Sequence, residues 1–337
     1  MITTCNICGN TTKQVIEIPY LEVLGVAPTW EQTISICSEC GFVFNATPFS
    51  QVDLDRRYKY MSTKYERDDE VYALDGTDDY SKRSKRQVSF LESIIGGCYD
   101  SLIEVGASSG YNLSLYKQLG KNVYGIEPSD TNVKNAKRIY DVDMYSGTFD
   151  EYLADANRQS YDVMYLSMVL EHIVNPKTFI EQCDRLTNKY MFIEVPTLDY
   201  KFADEPYGMF TDEHVNYFTL PSLETMMNSC GYSLVDMDIS FVMNETAPSG
   251  YPCIRSIWKK CEGTICSHKP VSSSQDMLQA YLAVSKEQMK HVVSTINNIP
   301  ADAKVALWGI GNTVSKLLAM TDLRYKNIVK GYDSDLK

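Results

Sequence analysis

The sequence predicts an α/β fold with a Rossmann-like sheet at its centre, and two observations carry that prediction. Apolar strand patterns and helix patterns alternate between residues 100 and 240. The first of these strands, Ser101–Val105, runs into a turn of small residues that ends at Gly110. Alternation of this length is typical of a mostly parallel sheet covered by helices on both faces. A strand, a turn and a helix in this order form the ligand-binding corner of doubly wound domains.

Each element of the alternation follows from its own pattern. The predicted strands are Ser101–Val105, Asn122–Ile126, Val142–Tyr145, Val163–Ser167, Tyr190–Val195 and Tyr232–Ile239. The predicted helices are Leu113–Leu119, Asp130–Ile139, Phe149–Ala156, Pro176–Leu186 and Pro221–Ser229. Asn112 is in position to cap the first helix, and Gly120 to end it. Proline opens the last two helices, which suits a first helical turn.

Composition divides the chain into four parts. We expect a small zinc-binding domain at residues 1–50, a polar, tyrosine-rich cover at 51–98, the ligand-binding core at 99–240 and a C-terminal α/β domain at 241–337. In the last part, residues 241–275 are predicted to be irregular and residues 277–298 to form one long amphipathic helix. A second strand–glycine turn–helix, followed by one more strand, then ends the chain. Because this unit has only two predicted strands, we expect either that it packs on the rest of the protein or that the chain is truncated.

Composition and charge exclude several function classes. The chain has 337 residues and a formal charge of −12, which disfavours general binding to nucleic acids or anionic membranes. It shows neither a leader pattern nor an apolar run of the roughly 18 residues that a membrane span needs. We therefore expect a cytoplasmic protein that acts on a small molecule, and the sequence leaves its oligomeric state open. Ten cysteines in that compartment favour metal binding for some of them. For the neighbours Cys261, Cys266 and His268, ordinary thiols are favoured over a second metal site.

Two cysteine pairs predict a structural zinc site. Cys5 and Cys8 form one C-x-x-C pair, Cys37 and Cys40 form another, and a glycine follows each pair. The two-residue spacing places both thiolates of a pair on one side of a tight turn, and the glycine permits that backbone shape. Four thiolates complete a tetrahedral zinc site without an open position, so the predicted role of the zinc is structural.

The turn after the first strand favours S-adenosylmethionine (SAM) over a dinucleotide. It lacks the middle glycine of G-x-G-x-x-G, which lets the backbone approach a pyrophosphate. Glu104 stands near the end of the strand, where a carboxylate would repel a phosphate but could pair with a cation. SAM carries a sulfonium and an ammonium and has no phosphate. The predicted contacts in this turn are Glu104, Gly106, Ala107, Ser108 and Gly110.

The ends of the next strands complete the predicted SAM site. Glu127 ends the second strand and precedes Pro128, and an acidic residue there can accept hydrogen bonds from both ribose hydroxyls. Phe149, with Thr148 and Asp150 on either side, follows the third strand where adenine would be held. Ser167 follows the fourth strand, at the carboxyl edge of the sheet.

These motifs resemble the class I SAM-dependent methyltransferases. The resemblance rests on Glu104-x-Gly-x-x-x-Gly, Glu127-Pro128 and the segment Leu-Glu-His-Ile that contains His172. With the cysteine pairs, the Glu-His-Val-Asn-Tyr-Phe segment and the later Gly-Ile-Gly-Asn-Thr turn, the chain resembles the three-domain, zinc-containing sugar C-methyltransferases. That family methylates C3 of nucleotide-linked 4-keto-deoxysugars. The resemblance implies a nucleotide-linked sugar as the acceptor.

Transfer to a carbon next to a ketone needs a base and groups that stabilise an enolate. His214 is the candidate base, and the resemblance implies that it lies with Glu213 at the acceptor. For His172, contact with the acceptor and a packing role both stay open. Tyr72 and Tyr80 are candidates to close the acceptor site, against the alternative of surface aromatics.

Two departures from the family pattern concern the acceptor. Thr211 stands where the sugar enzymes have a tyrosine, three residues before the histidine. The turn Trp308–Thr313 is also shorter than in that family and lacks its lysine. A second hypothesis is therefore methyl transfer to oxygen or nitrogen on a glycan or other small molecule. A third, a zinc-stapled scaffold with a vestigial SAM fold, is disfavoured by the intact residues of the SAM turn.

Overall fold

The computed structural model describes most of the chain. The described residues are 2–21, 31–48, 50–54, 78–156, 158–200, 202, 204–244, 247–261 and 272–332. The strands are β1 (Thr12–Ile18), β2 (Gln32–Cys37), β3 (Val43–Asn45), β4 (Ser101–Val105), β5 (Asn122–Glu127), β6 (Met144–Ser146), β7 (Tyr161–Ser167), β8 (Thr187–Pro196), β9 (Asn216–Tyr217), β10 (Tyr232–Asn244), β11 (Ala247–Lys260), β12 (Lys304–Trp308) and β13 (Asn327–Tyr332). The α-helices are α1 (Asp79–Ile95), α2 (Tyr111–Gln118), α3 (Asp130–Asn135), α4 (Phe149–Ala154), α5 (Pro176–Asp184), α6 (Leu220–Ser229), α7 (Ser272–Asn297) and α8 (Asn312–Met320).

The central sheet has the order β10-β11-β8-β7-β4-β5-β6. Strands β8, β7, β4, β5 and β6 run parallel, while β11 pairs antiparallel with both β8 and β10. The α/β prediction is confirmed, with the correction that the sheet is mixed. Because β11 lies in this sheet, the sheet continues beyond residue 240, the predicted end of the core.

Strand β11 replaces the irregular segment expected at residues 241–275. Pro252 and several small polar residues interrupt its apolar pattern, so no alternation marks it in the sequence. It nevertheless lies between two partner strands and buries Ile254, Ile257 and Trp258 completely. A strand covered on both faces needs no alternation of apolar and polar residues, which explains why the sequence pattern missed it.

Two apolar layers enclose the sheet. On one face Tyr165 stacks on Phe192 with ring centroids 4.1 Å apart, beneath α1 and α2. On the other face Trp258 and Ile180 belong to a larger cluster that also takes in α6. The layers fix the parallel strands, so their carboxyl ends present the turns after β4, β5, β6 and β7 along one edge.

A second sheet combines the N-terminal region with a piece of the core. Its order is β1-β2-β3-β9, all antiparallel, and β9 comes from residues that follow the last parallel strand. Ile34 of β2, Tyr217 of β9, and Leu278 and Tyr281 of α7 share one buried cluster. The N-terminal sheet is therefore packed into the molecule by its own fourth strand and by the long helix.

The C-terminal unit is small and has its own core. Strands β12 and β13 are parallel, and Ile310, Val314 and Leu318 pack there against Ile296 at the end of α7. The single long helix predicted for residues 277–298 is confirmed as α7. Among the described helices, none combines the length and apolar character needed to span a membrane.

Candidate functional site

The four predicted zinc ligands lie together. The Sγ atoms of Cys5 and Cys40 are 3.6 Å apart, and those of Cys8 and Cys37 are 3.4 Å apart. All four Sγ atoms lie within 4.8 Å of one another. The backbone amide of Ile7 donates to the Cys5 sulfur at 3.3 Å, as expected for a turn built to face thiolates. Four thiolates this close repel one another unless a cation lies between them, so the donor set fits a tetrahedral metal.

The second cysteine–histidine group is described only in part. Cys261 Sγ lies 3.1 Å from Ser233 Oγ, which agrees with an ordinary loop thiol. Cys266 and His268 lie outside the described residues.

The turn after β4 depends on two glycines. Gly106 and Gly110 have φ angles of +72° and +74°, which favour glycine. A Cβ on Gly110 would also lie 2.7 Å from the Cβ of Ala136. Ala107 is buried beneath the turn. The prediction that Asn112 caps the helix is wrong, because α2 begins at Tyr111 with Gly110 at its N-cap.

Asn112 instead forms a hydrogen bond with Glu104. Its Nδ2 donates to Glu104 Oε1 at 3.1 Å, whereas Oε2 of the same carboxyl is buried and has no hydrogen-bond partner among the described residues. Burial raises the pKa of Glu104 to about 8, although the Asn112 hydrogen bond opposes this shift. An orphaned carboxylate oxygen at the end of a parallel strand fits a ligand that brings a cationic donor.

The carboxylate of Glu127 contacts the same turn. The backbone amide of Ser108 donates to its Oε2 at 2.9 Å, and that of Ser129 donates to its Oε1 at 3.0 Å. Pro128, next in the chain, is exposed at the rim. The two amides fix the carboxylate at the edge of the sheet, where its remaining lone pairs suit vicinal hydroxyls.

The predicted adenine end borders an open cleft. Thr148 caps α4, and the buried Phe149 packs on Phe179 of α5 with ring centroids 4.9 Å apart. Asp150 is exposed beside them. A cleft of about 230 Å³ runs between the two helices and includes Asn175. Phe149 therefore supplies an apolar wall at this end of the site.

Ser167 takes part in a buried charged network that the sequence did not reveal. Arg83 Nη2 and Gln87 Nε2 donate to its Oγ at 2.6 and 2.8 Å. Arg83 Nε also pairs with Glu194 at 3.2 Å, and Ser240 Oγ donates to Glu194 at 2.6 Å. Burial raises the pKa of Glu194, but Arg83 and Ser240 outweigh it and the net shift is downward. The available signal was the spacing of Arg83 and Gln87 by one helical turn on α1.

Tyr80 lies near the turn that follows β4. Its hydroxyl interacts with the side chains of Ser108 and Ser109. Burial raises the pKa of Tyr80 to about 12, and the neighbouring Glu104 adds to the shift. The predicted partner of Tyr80 in closing the acceptor site, Tyr72, lies outside the described residues.

His172 and His214 meet at the carboxyl edge of the sheet. Their ring centroids are 4.9 Å apart and their planes 72° apart. His172 Nδ1 lies 3.1 Å from the carbonyl oxygen of Glu213, which can only accept, so Nδ1 carries the proton and Nε2 is the unprotonated nitrogen. His214 is buried, and its Nδ1 has no hydrogen-bond partner among the described residues. Glu213 thus contributes its backbone to the pair.

Both imidazoles are neutral at pH 7. Burial lowers the pKa of His172 to about 4, although its contact with Glu213 opposes the shift. Burial lowers the pKa of His214 well below its ordinary value, and the charge that His172 could carry adds to this. A neutral imidazole has one nitrogen without a proton, which can accept a proton from a bound molecule.

Glu171 is a further candidate that the sequence reasoning did not single out. It is fully buried, and neither carboxyl oxygen has a hydrogen-bond partner among the described residues. Its Oε1 lies 3.8 Å from His172 Nε2. Burial raises the pKa of Glu171 to about 8, so its protonated form dominates at pH 7. One carboxyl oxygen of Glu171 and one ring nitrogen each of His172 and His214 also lie within 4.8 Å of one another.

A sequence profile described as "Methyltransferase domain" matches residues 45–237, which is more than half of the chain. The chain belongs to the SAM-dependent methyltransferases. The turn after β4, the buried Glu104 and the amide-held Glu127 are this methyltransferase's candidate donor site, and the histidine pair lies at its candidate acceptor site.

Two curated relatives show how far the likeness extends. Ubiquinone biosynthesis O-methyltransferase of Rhodopseudomonas palustris (strain TIE-1) is 24% identical over 120 residues, which cover 35% of this chain and 45% of that protein. C-methyltransferase NovU of Streptomyces niveus is 25% identical over 143 residues, which cover 41% of this chain and 34% of that protein. Each alignment therefore spans less than half of the relative's length.

Solved structures match over a larger share of the chain. Magnesium protoporphyrin IX methyltransferase (ChlM) from Synechocystis PCC 6803 with bound SAM has a TM-score of 0.43 and 12% identity, and covers 64% of this chain and 99% of its own. The Burkholderia thailandensis 1,6-didemethyltoxoflavin-N1-methyltransferase has a TM-score of 0.47 and 14% identity, and covers 67% and 98%.

Thr211 replaces the tyrosine of the sugar C-methyltransferases, but another tyrosine of this methyltransferase, Tyr251, lies near His214. The Tyr251 ring, on β11, lies 6.3 Å from the His214 ring, and its hydroxyl is 3.4 Å from the Met209 carbonyl. Thr211 Oγ1 is buried without a hydrogen-bond partner among the described residues. Sequence reasoning missed Tyr251 because it lies in the segment expected to be irregular.

The C-terminal turn contacts the segment that leads to His214. Asn312 Nδ2 donates to Asp212 Oδ1, and Lys316 Nζ donates to the Tyr207 carbonyl at 3.1 Å. Trp308, at the other end of the turn, is 79% exposed and stacks on Tyr332. The C-terminal unit of the methyltransferase therefore packs on the acceptor side.

Proposed function

We propose that this chain transfers the methyl group of SAM to carbon next to a ketone in a nucleotide-linked sugar, with His214 as the general base. The observation that carries the proposal is the buried, neutral His214, which lies beside His172 at the carboxyl edge of the sheet. Its Nδ1 has no hydrogen-bond partner among the described residues. This is the edge at which Glu104 and Glu127 present their carboxyls.

The donor side is proposed to hold SAM through named groups. Glu104 Oε2 would pair with the cationic methionine end, because it is buried without a partner among the described residues. Glu127 would accept from the ribose hydroxyls, and Phe149 would pack on the adenine. Bound SAM would supply an electrophilic methyl group. The acceptor carbon would form the new C–C bond as the S–C bond breaks, and S-adenosylhomocysteine would leave.

The acceptor side then needs one base and one hydrogen-bond donor. His214 accepts the proton from the carbon next to the ketone, and the electron pair of the broken C–H bond moves into an enolate. The protonated carboxyl of Glu171 donates a hydrogen bond to the enolate oxygen. His172 lies beside His214 and orients the acceptor through its unprotonated Nε2.

Methyl transfer to oxygen is the second candidate. A hydroxyl acceptor needs only a base such as His214 and no enolate stabilisation. Thr211, in place of the tyrosine typical of sugar C-methyltransferases, favours this alternative, and matched relatives carry O-methyltransferase names.

We also propose that the four cysteines hold one structural zinc ion. The support is the mutual proximity of the four Sγ atoms and the amides directed at them. Four thiolates leave no open coordination position, so this zinc would act on the fold and not on the acceptor.

Isotope exchange separates the two candidates. The full chain is incubated in D₂O with nucleotide-linked 4-keto sugars, and separately with radiolabelled SAM and a panel of these sugars and of hydroxyl acceptors. C-methylation predicts deuterium at the carbon next to the ketone for the wild type and none for His214→Ala. The control His291→Ala changes an exposed histidine on α7 and keeps the exchange. Label transfer to a hydroxyl acceptor without exchange supports O-methylation, and the absence of SAM binding rejects both.

A further inference from the structure

We infer that Gln32, on the N-terminal sheet, is a positioning residue for His214. It lies on a different sheet from the donor site, and its side-chain amide hydrogen-bonds the backbone carbonyls of Thr211 and of His214 itself. The inference rests on the acceptor role proposed for His214, but the geometry of Gln32 does not depend on which acceptor is used.

The contacts of Gln32 converge on one short segment. The residue is fully buried at the start of β2. Its Nε2 donates to the carbonyl of Thr211 and lies 3.5 Å from the carbonyl of His214 and 3.2 Å from Tyr217 Oη. Its Oε1 accepts from Tyr20 Oη at 2.8 Å. Only a side chain that both donates and accepts can serve these partners, and an amide does so without charge.

Neighbouring contacts make the segment rigid. Tyr217 Oη donates to the His214 carbonyl at 2.7 Å. Strand β3 pairs with β9 just after the histidine, and the Asn45 amide donates to the Val215 carbonyl at 2.8 Å. From the other side, the Val215 amide donates to the Glu171 carbonyl at 2.7 Å. The His214 peptide is therefore held between the N-terminal sheet and the acceptor edge of the central sheet.

The same strand reaches the cysteine cluster. β2 begins at Gln32 and ends at Cys37, a distance of roughly 17 Å at about 3.3 Å per residue. Ile34 and Ile36 pack between these ends in the core shared with Tyr217. The cysteine cluster anchors one end of the strand, and Gln32 carries the other end to His214.

Loss of the Gln32 amide should act on His214 and spare the donor site. Without the Gln32 amide, the carbonyls of Thr211 and His214 lose a hydrogen-bond donor in a buried position, so this segment shifts and the His214 ring loses part of its burial. Burial is what lowers the pKa of His214, so this pKa rises in the variant. Glu104 and Glu127 belong to the other sheet, so SAM affinity stays unchanged.

The test compares Gln32→Leu with Ser35→Ala in the full chain. Ser35 is a buried polar residue on the same strand. Ring nitrogens of labelled histidine are followed by NMR against pH, and the His214 signal is assigned by its loss in His214→Gln. We expect the His214 titration to move by about half a unit or more toward the ordinary value near 6.5 in Gln32→Leu. Ser35→Ala should match the wild type, with SAM affinity and zinc content equal in all three proteins.

A His214 signal in Gln32→Leu that follows the wild-type titration overturns the inference. If Gln32→Leu loses both SAM binding and zinc, Gln32→Met decides instead, because it removes the amide and keeps the length of the side chain. A smaller shift in the same direction supports the inference, and no shift overturns it. A shift without methyl transfer to any acceptor would keep Gln32 as a positioning residue and reject the proposed reaction.

Discussion

The residues proposed to bind SAM, here the donor side, and those proposed to act on the acceptor, here the acceptor side, are positioned in opposite ways. The donor residues Glu104, Gly110 and Glu127 come from two consecutive strand–turn units, and the backbone of those turns aims them. The acceptor residues Glu171 and His214 are brought together from segments far apart in the chain, and a third segment holds them. The donor site is thus local in sequence, whereas the acceptor site depends on the N-terminal sheet.

The largest expected effect concerns the acceptor side alone. We expect His214→Ala to reduce the rate of methyl transfer by about 10²–10⁴-fold, the range for loss of a positioned general base. SAM affinity, measured by calorimetry, should not change, because the donor residues lie on other elements. The exposed His291→Ala is the control. Weaker SAM binding in His214→Ala would show that the two sides are not separate.

The reverse separation is expected for Glu127→Ala. This carboxylate is fixed by the amides of Ser108 and Ser129, so its loss removes charged hydrogen bonds to the ribose. We expect SAM affinity to fall by about 10–150-fold, equal to roughly 1.5–3 kcal/mol. The His214 titration should stay as in the wild type. Glu181→Gln, an exposed carboxylate on α5, is the matched control, and an equal loss of affinity there would contradict the assignment.

The same contrast explains what the sequence could predict. Glu104, the turn glycines and Glu127 follow from the order of one strand, one turn and the next strand. The cysteine cluster follows from spacing alone. Tyr251 and Gln32 could not be found this way, because β11 shows no alternation and the role of Gln32 depends on a pairing between β3 and β9. The prediction from sequence succeeded where the contacts are local, and it failed at the antiparallel edge of the central sheet.

Removal of the metal tests how far the acceptor side depends on the N-terminal sheet. Chelation should loosen the cysteine end of β2 and move the His214 titration in the same direction as Gln32→Leu. We expect transfer to fall by about tenfold, since a misplacement of about 1 Å can cost even more. SAM binding should persist, and added zinc should restore both the His214 titration and the rate of methyl transfer. If chelation leaves the His214 titration unchanged, the cysteine cluster has only a local structural role.

The smallest expected effect belongs to the donor side and appears only against pH. The pKa of Glu104 is raised by burial to about 8, so the unliganded protein holds this carboxyl protonated at pH 7. A cationic ligand needs the ionised form, so SAM affinity should rise by about fivefold as the pH increases from 7 to 8. Over that interval the ionised fraction of Glu104 grows from about a tenth to about a half. In Glu104→Gln the affinity should be weaker and independent of this titration.

Stability must follow the opposite trend, and this links the pH effect to the design of the donor site. The folded pKa of Glu104 exceeds its unfolded value, so its contribution to stability is present at low pH and is lost as the pH rises through about 8. Thermal unfolding without SAM should therefore show a steeper decline between pH 6 and 9 in the wild type than in Glu104→Gln. The control Glu287→Gln alters an exposed carboxylate on α7 and should keep the wild-type slope. Saturating SAM should remove the decline in the wild type alone, because the ligand supplies the partner that the buried oxygen lacks. Equal slopes in the wild type and Glu104→Gln would mean that Glu104 is not the titrating group, and the pairing of this carboxylate with SAM would fail with it.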